Sequence, residues 1–456
     1  MSYYNIRKEG NLKLYKVDDK NQRIALGNVE FDLYSKEFNT VIGTYHTDVN
    51  GEIFVENLRV ADYVWIEKTT NKWYNLAENT DVTVVWKKTV ETTILNKLKQ
   101  GKVTVVKVDK DNNEIKLPNV KFEVKDSNGN VLETIVTDKN GVATTSEYPV
   151  RDFETLTLKE VQTLKEYKLN DAEIKVTLKA NETITKTVEN EVKKGQIKVV
   201  KVDKDKHEIK LEGVVFEVLD QDGKVVQTLV TDKNGEAITK RLPILPTYSV
   251  REKSSLREYK LNTQEATNIK LEEDEIRTIT FENELKKAKM QVIKVDKENH
   301  EIKLKDVVFE VYNSKGELVD KIITDIKGIA TTKELPVNDT YSLKEVQTDK
   351  FYKLNKEIVA IDLTQYIDNY KDNIVENVTI ENQIKKGRVK VIKVDKDNHE
   401  IKLEGIVFEL LDQDGNTLEK LVTDQNGEAI SKEYRINQKY LLKECETQNI
   451  YELNTE

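Results

Sequence analysis

One thirteen-residue run recurs along this chain, and it confines the fold to small units set in series. VVKVDKDNNEIKL at 105–117 returns as VVKVDKDKHEIKL at 199–211, VIKVDKENHEIKL at 292–304 and VIKVDKDNHEIKL at 391–403, with a divergent copy, LYKVDDKNQRIAL, at 14–26. A TDxxG turn follows each copy (Asp48, Asp138, Asp232, Asp325, Asp424), then a run ending in Glu. The KVD lysines, Lys16, Lys107, Lys201, Lys294 and Lys393, lie 91, 94, 93 and 99 residues apart, one small domain per period. The boundaries follow: residues 1–10 as the remnant of a preceding unit or linker, then repeat 1 (11–100, divergent), repeat 2 (101–194), repeat 3 (195–287), repeat 4 (288–386) and repeat 5 (387–456). Both ends read as cut, with Asn5 placed like a unit's closing Asn and repeat 5 stopping before its final strands.

Within repeat 2, seven alternating runs fall near 103–109, 119–125, 131–137, 142–148, 154–161, 172–179 and 183–192, separated by turn signals such as Asn128-Gly129 and Asn140-Gly141. Seven short strands in so small a unit predict an all-β protein, a tandem array of seven-stranded Ig-like sandwiches. Linkers such as Lys193-Lys194-Gly195 are short and lack Pro-rich or Gly/Ser-rich tracts, so a semi-rigid rod is expected. A formal charge of -9 argues against a nucleic-acid partner. Cys445 is the only cysteine, so no disulfide framework exists, and no Cys/His spacing suits zinc. No apolar run is long enough for a membrane helix or a signal-peptide core, and no sorting signal closes the chain, so any such signals are expected outside this segment.

Strand alternation exposes an anomaly, because side chains two apart share a face. Lys107 shares its face with Val103 and Val105, Lys16 with Leu12 and Leu14, Lys201 with Ile197 and Val199, Lys294 with Met290 and Val292, and Lys393 with Val389 and Val391. The same test puts Glu67 with Tyr63 and Trp65, Glu160 with Leu156 and Leu158, Glu252 with Tyr248 and Val250, Glu345 with Tyr341 and Leu343, and Glu444 with Tyr440 and Leu442. Asn96 falls between Ile94 and Leu98, Asn190 between Val188 and Val192, Asn283 between Phe281 and Leu285, and Asn382 between Ile380 and Ile384. An amine, a carboxyl and an amide thus face inward in each complete repeat, which costs several kcal/mol unless they satisfy one another.

Desolvation lowers a buried Lys pKa and raises a buried Glu pKa, favouring a neutral amine beside a protonated acid. The amine can attack the Asn carbonyl carbon while Glu hydrogen-bonds the carbonyl oxygen and passes protons toward leaving ammonia, forming a Lys–Asn isopeptide bond once. The alternative is a buried Lys–Glu salt bridge with a hydrogen-bonded Asn and no chemistry. These landmarks (the KVD strand, the NVKFEV-type strand, the TDxxG turn, the Y-x-L-x-E strand and the closing Asn) resemble the Cna B-type repeat of Gram-positive surface proteins, also called the prealbumin-like or pilin B-type fold. The resemblance implies isopeptide bonds in Lys16/Glu67/Asn96, Lys107/Glu160/Asn190, Lys201/Glu252/Asn283 and Lys294/Glu345/Asn382, with the glutamates catalytic, while Lys393 and Glu444 stay unpaired with any Asn.

Other candidates read as structural. Asp109-Lys110-Asp111-Asn112-Asn113 alternates oxygen ligands but lacks the Gly and closing Glu of a calcium loop. His207, His300 and His399 occupy one turn position, Cys445 takes the place of Val161 and Val346 and is expected to be buried, and the Trp65, Trp73 and Trp86 of repeat 1 are expected in its core. No cofactor, metal or turnover enzyme is expected. The favoured expectation is a structural stalk segment of an adhesin or pilus-like protein, at the cell wall or surface of a Gram-positive bacterium. Any host extracellular-matrix or surface protein would then bind outside the array or at its ends. The rival expectation is a direct adhesin whose repeats bind such a protein, with the Trp-rich first repeat as its best surface.

Overall fold

The computed structural model describes Met1 and residues 3–455. Apart from one 3-10 turn at Thr364–Tyr366, every regular element among them is a β-strand. Met1–Gln196, with Lys240–Thr247 and Lys270–Arg277 of repeat 3, form one compact unit, and the rest of repeat 3 from Ile197, with repeats 4 and 5, forms another.

Repeat 2 shows how the pattern folds. Its opening strand, Gln100–Asp109, buries alternate residues until its last three, which are all buried. Two short antiparallel strands, Val142–Thr144 and Tyr148–Pro149, flank it on one side, and the closing strand, Thr183–Asn190, runs parallel to it on the other. The second sheet is antiparallel, in the order Val131–Val136, Lys121–Lys125, Thr155–Gln162, Glu173–Thr177. Val103, Val105, Phe122, Val124, Leu156 and Leu158 fill the space between the two sheets and are fully buried. Because a parallel pair needs a long crossover, the chain traverses the whole second sheet before its last strand returns beside its first.

The run expected as one strand over 142–148 is broken in two. Thr145 interrupts it: its hydroxyl accepts a hydrogen bond from the Val103 N–H (3.0 Å) and donates to the Ser146 carbonyl (2.8 Å), replacing a ladder contact. The TDxxG turn has a steric reason for its glycine. Gly141 sits at φ +71, and a Cβ there would lie 2.5 Å from the Lys107 carbonyl oxygen. The Gly141 carbonyl in turn accepts the Lys107 N–H at 2.7 Å, so this turn pins the backbone of the inward-facing lysine.

The opening strands start at Glu9, Gln100, Lys194 and Lys287, one or two residues before the boundaries read from the sequence. Glu9 and Gly10 therefore belong to repeat 1 rather than to a remnant. The longer period of repeat 4 comes from residues 364–374, whose Tyr366, Ile367, Tyr370 and Ile374 pack on that repeat's core. Asp368 and Asp372 of this segment pair with Arg257 and Lys260 of repeat 3. In repeat 5 the opening segment forms only Lys386–Gly387 and Lys390–Ile392, and no closing strand occurs among the described residues.

Candidate functional site

Register brings the inward-facing lysine and asparagine together. Lys107 pairs with Val188 and Asp109 with Asn190, so Lys107 and Asn190 are diagonal neighbours on one face of the parallel pair. Lys16 and Asn96 stand the same way, as do Lys294 and Asn382. The glutamate comes from the facing sheet, where Glu160 pairs with Phe122. Each site therefore spans the core from one sheet to the other.

The three side chains meet in all four complete repeats. The Lys Nζ to Glu Oε2 distances are 3.1 Å (Lys16–Glu67), 2.8 Å (Lys107–Glu160), 2.8 Å (Lys201–Glu252) and 2.9 Å (Lys294–Glu345). Lys Nζ donates to the Asn carbonyl oxygen at 2.5 Å in Lys107–Asn190 and Lys201–Asn283 and at 2.7 Å in Lys294–Asn382, and Lys16 contacts Asn96 likewise. The Asn amide nitrogen donates to Glu Oε1 at 2.6 Å (Asn96–Glu67, Asn190–Glu160) and 2.7 Å (Asn283–Glu252, Asn382–Glu345). All four lysine side chains have no solvent exposure. A phenylalanine ring lies 5.6–6.0 Å from each ammonium: Phe31, Phe122, Phe216 and Phe309.

Burial is the largest influence on these amines. It lowers Lys16 to about 8 against the attraction of Glu67, and it lowers Lys107, Lys201 and Lys294 against Glu160, Glu252 and Glu345. The glutamate stands differently from the sequence expectation. Its carboxyl contacts the Asn nitrogen rather than the carbonyl oxygen, because that nitrogen offers two N–H groups and needs acceptors, while the ammonium is the donor facing the carbonyl. One carboxyl oxygen thus faces the amine and the other the amide nitrogen, a geometry that can carry a proton from the first to the second.

The sequence reading missed a hydroxyl. Thr70, Thr163, Ser255 and Thr348 accept the second amide N–H of Asn96, Asn190, Asn283 and Asn382 at 2.7, 2.7, 2.6 and 2.8 Å. Each stands three residues after the glutamate, and strict alternation would put it on the opposite face. A β-bulge skips the residue after each glutamate (Lys68, Val161, Lys253, Val346), which shifts the parity. The signal was available: Thr or Ser recurs at this spacing in all five repeats, Thr447 in the fifth. Also unread were buried aspartates accepting from tyrosines, Tyr74–Asp18 at 2.8 Å, Tyr259–Asp203 at 2.9 Å and Tyr352–Asp296 at 2.8 Å.

The remaining candidates have local explanations. Asp109 Oδ1 accepts the N–H groups of Asp111 and Asn112 at 2.7 and 2.8 Å, which accounts for the oxygen-rich loop as a turn. His207 and His300 are exposed beside Glu282 and Glu381, at 2.9 and 2.7 Å. Cys445 is only half-buried and Val161 is exposed, since both are the skipped residue of the bulge, which projects off the ladder. Trp65 is fully buried and Trp73 packs against the cores of repeats 1 and 2. Trp86, expected in the core, is instead half-exposed, with the Lys8 and Lys87 ammonium groups over its ring at 5.3 and 4.8 Å.

Comparison with known proteins agrees with this architecture. The sequence model of the family described as SpaA: Prealbumin-like fold domain matches residues 10–98, 101–192, 195–285, 288–383 and 387–456. Among solved structures, the TIE protein of Bacillus anthracis is similar over 82% of this chain and 69% of its own, at 20% identity and a TM-score of 0.50. The major pilin subunit BcpA of Bacillus cereus aligns with 62% of this chain and 99% of its own, at 13% identity and a TM-score of 0.29. The shaft pilin spaA of Lactobacillus rhamnosus GG aligns with 40% and 98%, at 16% identity and a TM-score of 0.19. The search of curated proteins found no match. Five tandem two-sheet units, each matched by the same family, establish that the chain belongs to the SpaA prealbumin-like fold domain family, in agreement with its Cna B-type landmarks.

Proposed function

We propose that each complete repeat closes itself with a Lys–Asn isopeptide bond and that the array serves as a structural stalk of a Gram-positive cell-surface or pilus-like protein. One observation carries the first part: in four repeats an amine with no solvent exposure touches an Asn carbonyl while a single carboxyl spans the amine and the amide nitrogen. The neutral amine attacks Cγ, the carboxyl takes the Nζ proton and returns it to the departing nitrogen, and ammonia leaves.

The stalk reading follows from where the bond lies. It joins the first strand of a repeat to its last, so tension applied between the ends of a repeat passes through the link and bypasses the residues between. The family match supports a structural surface role of this kind. The direct-adhesin reading retains one observation, the half-exposed Trp86. Deleting residues 195–287 separates the two, since a spacer repeat can be lost without abolishing binding by the parent protein.

Intact mass tests the bond. The purified chain is expected to fall short of its sequence mass by one ammonia for each of the four complete repeats. A mass equal to that of the sequence overturns the cross-link and leaves four buried ion pairs.

A further inference from the structure

We propose that the hydroxyl three residues after each glutamate, Thr70, Thr163, Ser255 and Thr348, is a fourth catalytic residue, which holds the leaving nitrogen of the asparagine in line with the carboxyl. This inference rests on the isopeptide reading above.

In each complete repeat the Asn nitrogen has two N–H groups and two acceptors, Glu Oε1 and this hydroxyl, at 2.6–2.8 Å. The amide plane is thereby fixed by contacts on its nitrogen side, which leaves its carbonyl side to the lysine. When Nζ bonds to Cγ, the amide nitrogen loses its conjugation and gains a lone pair that must receive a proton. The bond to the hydroxyl keeps that nitrogen within reach of Oε1. The proton that the carboxyl took from Nζ is then delivered there, and the C–N bond breaks. Lys–NH2 and Asn–CONH2 become Lys–NH–CO–Asn and NH3, with no other reactant.

Repeat 5 supplies an independent observation. It has no Asn-bearing strand among the described residues, and Thr447 Oγ1 and Glu444 Oε1 are both buried without a hydrogen-bond partner. The two kinds of group that the Asn nitrogen satisfies in the complete repeats, the hydroxyl and the carboxyl oxygen, are thus both left unsatisfied where no amide meets them. Capping of a local backbone group, the usual use of a threonine at a strand end, does not account for Thr447. The bulge serves the same end, since without it the hydroxyl would face solvent. Repeat 3 keeps the function with serine rather than threonine, so the hydroxyl and not the methyl is the common element.

The test follows link formation in time. The full chain is made by cell-free translation, samples are denatured at intervals, and tryptic mapping quantifies the Lys107–Asn190 peptide, with the other three links as internal references. Thr163→Val keeps the volume without the hydroxyl, and Thr163→Ser keeps the hydroxyl without the methyl. Thr163→Val is expected to slow the repeat 2 link by about tenfold or more, the worth of one hydrogen bond to a reacting atom. Thr163→Ser is expected to stay near wild type, and the other links are expected to be unchanged. Trypsin resistance of repeat 2 is read in the same samples, and Thr163→Ala, which cannot overpack, replaces Thr163→Val if resistance is lost. Equal rates for Thr163→Val and wild type overturn the hydroxyl's role while the isopeptide reading stands. Linked peptides missing from every repeat of the wild-type chain overturn both.

Discussion

Repeats 2 and 5 begin with nearly the same sequence, but among the described residues only repeat 2 has a closing strand. In repeat 2 the opening strand runs unbroken for ten residues, and Lys107 has no solvent exposure. In repeat 5 it is reduced to stretches of two and three residues, and 19% of the Lys393 side chain is exposed. Lys393 and Glu444 still meet, at 2.6 Å. Leu442, however, is exposed where its counterpart Leu158 is fully buried. The ion pair is thus a property of the first sheet's opening strand and the second sheet's Glu strand. The seal over it is a property of the closing strand. Because that strand is also the one that carries the asparagine, the proposed reaction has its dry amine and its electrophile supplied by the same strand, and would begin only once that strand has docked.

The largest effect is expected from giving repeat 2 the chemistry of repeat 5 while leaving its fold. Asn190→Ala removes the proposed link between residues 83 apart. Loop-closure entropy puts the loss at about 4–5 kcal/mol, if the disulfide relation applies. Pulling on single molecules should then reveal one added extension of about 30 nm, from 83 residues at about 3.6 Å each. An unchanged force–extension record would mean that repeat 2 is not linked.

The converse experiment supplies repeat 5 with a closing strand. A peptide copying residues 183–194, with Asn190, is expected to protect repeat 5 from proteolysis, by about 2.7 kcal/mol at a hundredfold excess over its Kd. It is also expected to become covalently attached to Lys393. Denaturing electrophoresis would show the adduct, and its persistence in Lys393→Ala would refute the assignment.

A third prediction uses pH. In the fold, Lys16 loses its proton near pH 8 rather than near its usual 10.5, because burial disfavours the charged form. Below about 8 the amine is charged and cannot attack; above it the amine is neutral. The Lys16–Asn96 link should therefore form about tenfold faster per pH unit from 6 to 8 and level off beyond, in the same time-resolved mapping. The same sign applies to stability before the link forms: between about 8 and 10.5 the unfolded chain holds a proton that the fold has released, so stability rises with pH across that window.

The smallest effect marks what the two repeats share. Asp138 Oδ1 accepts the Asn140 and Val142 N–H groups at 2.8 and 2.9 Å, and Asp424 Oδ1 accepts those of Asn426 and Glu428 at 2.8 and 2.9 Å. Asp138→Ala and Asp424→Ala should each cost about 1 kcal/mol locally, read by hydrogen exchange, and by equal amounts. A clear inequality would mean that the closing strand supports this turn as well.

Much of this was legible in the residues themselves. Repetition set the unit, and period-two alternation put Lys107, Glu160 and Asn190 on core faces, because a strand's geometry is local and its two faces see different solvents. Local alternation could not reveal Thr163, since a bulge at Val161 reverses the parity and bulges arise from pairing between strands. It misplaced Cys445 for the same reason. It also left Trp86 to be found at the surface.

That Lys107, Glu160 and Asn190 face inward was therefore determined by the sequence alone, through alternation. Which inward-facing groups touch was decided only by the tertiary structure. The parallel register of first and last strands sets Lys107 diagonally beside Asn190, and the facing sheet turns Glu160 so that one oxygen meets the amine and the other the amide nitrogen. Those distances depend on strands far apart in the chain being brought into register. No property of a single strand contains that information, because register and sheet-to-sheet facing are fixed by packing the whole core at once.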